Sequence, residues 1–202
     1  MDLFPDPEPQ ILALPDADLV FHPGIDLGES PDALLVRLQR ETPWSQEDIT
    51  VFGKTHLQPR LIAWFGDPGA SYAYSGIAHE PLPWTDTLSG LRKRLEALCG
   101  CAFNSVLLNY YRDHRDSMGL HADDEPELGR EPVIASLSLG EQRSLYFKHK
   151  TRRDLQTVNL PLPSGSLLIM RGCTQRHWKH GLRKLGKPCG PRVNLTFRFI
   201  HY

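Results

Sequence analysis

The sequence predicts a mainly β domain with flanking helices, in which two sheets face each other as in jelly-roll and cupin-like barrels. Short apolar or alternating segments follow one another after residue 101, and Gly, Pro and charged turns separate them. The chain also contains 17 Pro and 16 Gly, which is typical of a loop-rich β architecture. Its 202 residues are enough for one globular domain.

Two helices are predicted before the β region. Ser30 caps the first helix, Pro31 takes its first position, and the helix ends near residue 42. The second begins near Thr85 or Asp86 and stops at Gly100. Its apolar side chains recur at helical spacing at Leu88, Leu91, Leu95 and Leu98.

Six strands are predicted in the β region, over residues 106–111, 133–139, 144–148, 157–160, 166–170 and 192–200. We therefore expect a single domain over residues 1–202 with three parts. Residues 1–45 form a peripheral N-terminal extension with a helix. Residues 46–100 contain the second helix, and residues 101–202 form the β core.

The last predicted strand has two different faces. Period-two alternation places Val193, Leu195, Phe197 and Phe199 in the core, and it places Arg192, Asn194, Thr196 and Arg198 on the opposite face. Buried Arg needs an anionic partner, and Asp154 is the only acid after Glu141. A small dicarboxylate would pair with both guanidinium groups better than internal acids would. In strand 106–111 the same alternation places Asn109 and Tyr111 together.

Charge is unevenly distributed, although the formal net charge is −1. Residues 1–50 hold eleven acidic and two basic residues, whereas residues 143–198 hold thirteen basic residues and one acid. The basic part is a candidate contact surface for phosphates. A solvated basic face that balances the acidic start is the alternative, and charge alone does not separate the two.

Several classes of protein are not expected. No segment approaches the roughly 18 apolar residues of a membrane helix. The acidic start MDLFPDPEPQ lacks the features of a signal peptide. We therefore expect a cytoplasmic protein without a membrane partner. A monomer is the expected oligomeric state. The four cysteines lack CxxC spacing, so reduced thiols are expected and a zinc site is not.

A candidate metal site lies between the strands. His121 and Asp123 are two residues apart, so in an extended segment both face one side. With the distant His180 they would supply two imidazoles and one carboxylate, the ligand set of non-haem iron(II) oxygenases. Nine histidines make such spacing common by chance, so a surface loop rich in acids is the alternative.

Several segments together resemble the AlkB family of nucleic-acid dealkylases. They are PRLIAWFGDPGASYAYSG at 59–76, LNYYRD at 108–113, HADDEPELGREP at 121–132, IASLSLG at 134–140, GSLLIM at 165–170 and PRVNLTFR at 191–198. RxNLTFR together with HxD is specific to this family. The resemblance covers about three-quarters of the chain and leaves the first forty-odd residues unmatched.

The resemblance implies a double-stranded β-helix with a nucleotide-recognition lid within residues 46–100. It implies iron(II) bound by His121, Asp123 and His180, and it excludes the nearby His177. The positions that match 2-oxoglutarate binding in the family are Asn109, Tyr111, Arg192, Asn194 and Arg198.

The activity that the resemblance implies is oxidative demethylation of bases such as N1-methyladenine and N3-methylcytosine in DNA, with RNA as a second candidate. O2 and 2-oxoglutarate are consumed, and formaldehyde, succinate and CO2 are released. The cofactor carries the oxidation, and the protein orients the methyl group. Because the methylated nitrogens lie in the pairing edge, the base must leave the helix first.

Substrate contacts are implied as well. Tyr74 matches an aromatic that stacks on the flipped base, and Tyr72 lies beside it, although strand packing is the alternative for both. Glu125, with Asp124 beside it, matches the base-recognition position. Basic residues that could hold the backbone, if they are more than surface charge, are Arg143, Lys148, Lys150, Arg152 and Arg153.

The strand preference is left open by two features. Phe52, in VFGK at 51–54, resembles an aromatic finger that a duplex-acting member inserts into the base stack. Residues 117–132 look more like the member that prefers single strands.

Two alternative functions remain. One is a 2-oxoglutarate oxygenase that acts on a protein or a small molecule, against which Tyr74 and the basic region argue. The other is a module that binds damaged nucleic acid without turnover, which the complete set of ligand and co-substrate positions disfavours.

Overall fold

The computed structural model of the protein describes residues 8–51, 54–70, 72–74 and 77–201. Its helices are α1 (Pro31–Glu41), α2 (Asp86–Cys99) and α3 (Thr174–His177), and a 3-10 turn covers Pro126–Leu128. The strands are β1 (Gln10–Leu12), β2 (Asp18–His22), β3 (Asp48–Val51), β4 (Lys54–Leu57), β5 (Leu61–Gly66), β6 (Tyr72–Tyr74), β7 (Ile77–His79), β8 (Ser105–Tyr111), β9 (Met118–His121), β10 (Ile134–Gly140), β11 (Arg143–His149), β12 (Val158–Leu162), β13 (Leu167–Arg171), β14 (Trp178–Leu182) and β15 (Arg192–Arg198).

Most of these strands form two antiparallel sheets. The larger sheet has the order β1-β2-β13-β10-β15-β8-β5, and the smaller one has the order β12-β11-β14-β9. Two hairpins, β3-β4 and β6-β7, lie outside both sheets. Two facing antiparallel sheets with few helices confirm the predicted mainly β class. No helix in the described part of the chain is long and apolar enough to cross a membrane.

The hydrophobic core has two parts, one on each face of the larger sheet. On the outer face, α1 and α2 pack against the apolar face of β15, where Val193, Leu195 and Phe197 are fully buried. Between the sheets, Phe147 of β11 packs with Leu168 of β13 and other apolar side chains. The polar face of β15 is therefore also directed between the sheets, beside this second cluster.

The structure confirms both predicted helices, including the positions of their ends. The Ser30 side chain accepts a hydrogen bond from the Ala33 amide, and Thr85 caps α2 in the same way. Gly100 ends α2 in a left-handed conformation with φ of 66°, which a residue with a side chain adopts only with strain. Leu98, predicted for the apolar face of α2, is half exposed and does not belong to the core.

The N-terminal part is more integrated than predicted. Besides the expected helix, it contributes β1 and β2, and β2 pairs with β13 of the larger sheet from Leu167↔His22 to Arg171↔Asp18. Leu19 and Phe21 are buried in the cluster between the sheets. The prediction that this part is peripheral was wrong, because its short alternating segment completes the sheet.

Other strands were also missed. Neither β9 nor β14 was predicted, although they carry two of the candidate metal ligands. The last strand is shorter than predicted, since its final pair is Arg198↔Ser105. Phe199, predicted for the core, follows that pair and is 39% exposed.

The burial of β2 leads to a testable expectation. Phe21→Ala should lower the free energy of unfolding by about 3–5 kcal/mol, because it opens a cavity between the sheets. Ile11→Ala, at an exposed position of the adjacent β1, should change it by less than about 0.5 kcal/mol. Urea denaturation of both variants measures the difference. A small effect of both changes would show that the N-terminal strands add little to the core.

Candidate active site

The smaller sheet brings two histidines together. His121 ends β9 and pairs directly with His180 of β14, and their ring centroids lie 4.4 Å apart. The next residue, Gly181, allows this close approach. A Cβ atom there would lie 2.9 Å from the Tyr146 ring and 3.0 Å from the Met118 carbonyl oxygen. The strand pairing therefore depends on glycine at this position.

Asp123 completes the cluster from irregular backbone after β9. Its Oδ2 atom lies 3.7 Å from His180 Nε2. One potential ligand atom from each of His121, Asp123 and His180 lies within 4.8 Å of the others. This grouping is compact enough for a single metal ion to contact all three. Two imidazoles and one carboxylate on one side of an octahedral ion leave three positions for other ligands.

The protonation states suit metal binding. His121 Nδ1 lies 3.0 Å from the Gly119 carbonyl oxygen, which can only accept, so in the neutral ring Nδ1 carries the proton and the lone pair is on Nε2. Burial, together with the neighbouring His121, lowers the pKa of His180 to about 3 and keeps that imidazole neutral. Burial alone would raise the pKa of Asp123, but the positive charge of Arg198 lowers it below its usual value.

A second group of two histidines and a carboxylate lies elsewhere, and it contains His177. Potential ligand atoms of Asp16, His149 and His177 also lie within 4.8 Å of one another. However, His149 Nδ1 accepts the backbone N–H groups of Thr151 and Arg152, at 3.3 and 2.9 Å. The proton of neutral His149 must then be on Nε2, which lies 3.3 Å from Asp16 Oδ2 and has no free lone pair for a metal.

A cavity of about 450 Å³ opens between the sheets at the first cluster. Its walls include all three candidate ligands, and polar side chains of β8 and β15 at Asn109, Asn194, Thr196 and Arg198. Residues of the predicted lid line the same cavity, among them Gln58, Arg60 and Glu80. The cavity therefore lies between the β core and the lid segment.

The predicted 2-oxoglutarate residues are neighbours across β8 and β15, where Asn194 pairs with Asn109 and Arg192 pairs with Tyr111. Arg198 also reaches the cluster, since its Nη2 atom lies 2.5 Å from Asp123 Oδ1. An internal ion pair was not expected for this strand, because Asp154 is the only acid after Glu141. Such a pair is nevertheless present, and its acid, Asp123, precedes Glu141 in the chain. Arg192 and Tyr111 lie beyond the residues that line the cavity.

Arg192 is a buried cation without an acidic partner among the described residues. It is 2% exposed, and its Nη2 atom donates to Ser138 Oγ at 3.0 Å. Burial lowers the pKa of Arg192 to about 10, which reflects the cost of a charge away from water. A carboxylate bound beside it would offset that cost.

Of the residues predicted to contact the substrate, some lie at the cavity, some lie on the surface and others have no described side chain. Glu125 lines the cavity, and its Oε2 atom is buried without a hydrogen-bond partner. Asp124 is exposed and pairs with Lys150 at 2.7 Å. Tyr72 and Tyr74 belong to β6, of which only the backbone is described, and Phe52 lies outside the described residues.

The prediction that Arg143 holds a nucleic-acid backbone was wrong. Its side chain points inward from β11, is 2% exposed, and donates to the carbonyl oxygens of Asp113, Asp116 and Arg183 at 3.3, 3.1 and 2.5 Å. Because this guanidinium group already donates to three backbone carbonyl oxygens, it holds loops together and is not available to phosphates.

Several polar partners in the site were not predicted. Ser136 and Ser138 accept hydrogen bonds from Asn194 and Arg192, at 2.9 and 3.0 Å. Period-two alternation in IASLSLG places these two serines on one face, so the signal was present in the sequence. Arg60 donates to Asn109 Oδ1 at 2.7 Å, and no spacing pattern marks it because it lies in a turn before β5.

Known proteins that are similar to this chain support the same interpretation of the site. A family model described as the 2OG-Fe(II) oxygenase superfamily matches residues 22–198. The chain is 42% identical to human "Alpha-ketoglutarate-dependent dioxygenase alkB homolog 3" over 89% of its own length and 65% of that protein. It is 40% identical to human "DNA oxidative demethylase ALKBH2" over 84% of its length and 68% of that protein. The chain thus spans about two thirds of these relatives or slightly less.

A solved structure supports the fold separately. The structure of OsALKBH1 superposes with a TM-score of 0.65 at 20% identity, covering 95% of this chain and all of that one. The chain therefore belongs to the 2OG-Fe(II) oxygenase superfamily and, within it, to the AlkB family. The predicted resemblance and the predicted jelly-roll fold are confirmed. This family implies iron(II) with 2-oxoglutarate. The cluster of two histidines and a carboxylate fits the metal, and Arg192, which has no acidic partner among the described residues, fits a carboxylate of the co-substrate.

The inward orientation of Arg143 can be tested. Arg143→Met should lower the free energy of unfolding by about 1–3 kcal/mol, because buried carbonyl groups lose their donors. Lys148→Met, at an exposed position of the same strand, should change it by less than about 0.5 kcal/mol. Thermal and urea denaturation measure both. Unchanged stability of Arg143→Met with weaker oligonucleotide binding would instead support the phosphate contact.

Proposed function

We propose that the chain is an iron(II)- and 2-oxoglutarate-dependent dioxygenase that removes methyl groups from alkylated bases in nucleic acid. The observation that carries this proposal is the cluster of His121, Asp123 and His180, whose protonation states suit a metal, at the wall of a cavity between the sheets. When bound, iron(II), 2-oxoglutarate and O2 supply the oxidation of the N-methyl group, which leaves as formaldehyde with succinate and CO2 as co-products.

The chain's own residues have binding and orienting roles in this proposal. His121, Asp123 and His180 hold the metal. Arg198, Asn194 and Asn109 border the same cavity, so they are suited to bind one end of 2-oxoglutarate. Arg192 and Tyr111 are adjacent between the sheets, with the guanidinium carbon 5.3 Å from the ring centroid, and they are suited to the other end.

Glu125 supports a preference for cationic bases. Its unpartnered Oε2 atom is a buried acceptor at the cavity. N1-methyladenine and N3-methylcytosine carry a positive charge and an exocyclic N–H, so a carboxylate stabilises both features. Unmethylated bases have no such charge. This difference favours the damaged base over the normal one.

The outer face of the smaller sheet supports a polyanionic partner. Lys148 of β11 pairs directly with Lys179 of β14, and both side chains are exposed. Like charges at directly opposed positions destabilise a sheet unless an anion lies near them. Beside them, Arg183 packs over the Tyr146 ring at 4.1 Å. Phosphate groups of a nucleic-acid strand would neutralise this surface without regard to sequence.

Formaldehyde release tests the proposal. Oligonucleotides with N1-methyladenine or N3-methylcytosine, single-stranded and duplex, are incubated with the protein, iron(II), ascorbate and 2-oxoglutarate. We expect release by the wild type and only background release by His180→Ala, because loss of one imidazole weakens metal binding. The two forms of the substrate also rank the strand preference.

Other outcomes would point to other functions. Succinate formation without formaldehyde from any oligonucleotide, in metal-loaded protein, would direct the search to protein or small-molecule substrates. The absence of both products from loaded protein that still binds methylated oligonucleotides would favour a non-catalytic binding module.

A further inference from the structure

The pairing of β9 with β14 does not position Asp123. His121 is the last residue of β9 and pairs with His180, whereas residues 122–125 have irregular backbone. Asp123 therefore lies two residues beyond the end of the strand pairing. Its carboxylate must nevertheless be directed at the two imidazoles if all three are to bind one ion.

A side chain from another segment holds the Asp123 backbone. Gln175 Oε1 accepts the Asp123 N–H at 2.9 Å, and both residues are almost completely buried. On its other side, Gln175 Nε2 donates to Met170 Sδ at 3.5 Å. Because a backbone N–H can only donate, the carboxamide orientation is determined by its partners. The amide is thus fixed at both ends.

Gln175 also lies close in sequence to another candidate ligand. It belongs to α3, which leads directly into β14 and His180. The bond to Asp123 therefore connects the two segments that carry the ligands, across 52 residues of sequence. A shift of one segment would be transmitted to the other through this contact.

We infer that Gln175 is a positioning residue for the metal centre, which sets the backbone of Asp123 so that its carboxylate faces His121 and His180. The inference rests on the proposed metal centre. Without the carboxamide, the buried Asp123 N–H loses its acceptor, and the loop gains by moving toward another one. The carboxylate then spends less time in the geometry that binds the ion, so metal affinity falls.

The adjacent residue offers a matched control. Thr174 is equally buried in α3, but its hydroxyl oxygen accepts the Asp18 N–H at 2.8 Å and thereby ties α3 to β2 rather than to Asp123. Thr174→Val removes that bond, together with the bond that the hydroxyl donates to the Arg171 carbonyl oxygen at 2.6 Å, with little change of shape. Gln175→Met removes the bond to Asp123 and keeps the side-chain length. Both variants lose hydrogen bonds of buried α3 side chains, and only Gln175→Met loses one that reaches a candidate ligand.

Manganese(II) titration of the full chain tests the inference, with binding followed by calorimetry and the melting temperature measured in metal-free protein. Gln175→Met should bind manganese(II) about 10–100-fold more weakly than the wild type. Thr174→Val should keep the wild-type affinity even though its melting temperature falls. His121→Ala should bind no manganese(II) at this site and reports on the metal centre itself.

Two results would overturn the inference in distinguishable ways. Wild-type affinity in Gln175→Met, with a melting temperature lowered as in Thr174→Val, would reduce Gln175 to a structural residue and leave the metal centre intact. Binding by the wild type that His121→Ala does not weaken would remove the metal centre from this cluster, and the inference with it.

Discussion

The ion pair between Arg198 and the buried Asp123 is the contact on which the site depends. Arg198 ends β15 of the larger sheet and Asp123 follows β9 of the smaller one, so the pair joins the two sheets at the cavity. Asp123 is 2% exposed, and an isolated carboxylate there would be protonated or displaced. With the guanidinium group of Arg198 beside it, the charged form is stable. The same pair holds Arg198 at the cavity, where the proposed co-substrate binds.

Hydrogen-bond direction separates the two groups of histidine and carboxylate residues in this fold. A carbonyl oxygen faces Nδ1 of His121, whereas backbone N–H groups face Nδ1 of His149. The first arrangement leaves a lone pair on Nε2, and the second leaves a proton there. Distances alone do not distinguish the groups. The backbone around each ring therefore decides which group can act as a metal centre, and the oxygenase proposal rests on the first.

The sequence predicted the features that follow from local periodicity. Alternation in β15 separated its core face from its polar face. The Ser30 cap located α1, and the helical spacing of leucines up to Gly100 located α2. Strands β9 and β14 were missed because MGLH and WKHGL have no strong alternating apolar pattern. The candidate ligands came from the spacing of HxD with a distant His, and the family resemblance supported that choice over chance spacing. Arg143 was misplaced because the predicted strand began one residue late, although alternation with Leu145 and Phe147 directs it inward. The role of Gln175 depends on a contact across 52 residues, which no local pattern contains.

Of the two groups of histidine and carboxylate residues among the described residues, only His121, Asp123 and His180 are arranged to bind a metal. Metal content per chain after loading with iron(II) under nitrogen and dialysis tests it most directly, in the wild type, His121→Ala and Asp16→Asn. We expect one equivalent in the wild type, none in His121→Ala and one in Asp16→Asn. A second equivalent that Asp16→Asn loses, or one equivalent that His121→Ala retains, would contradict it.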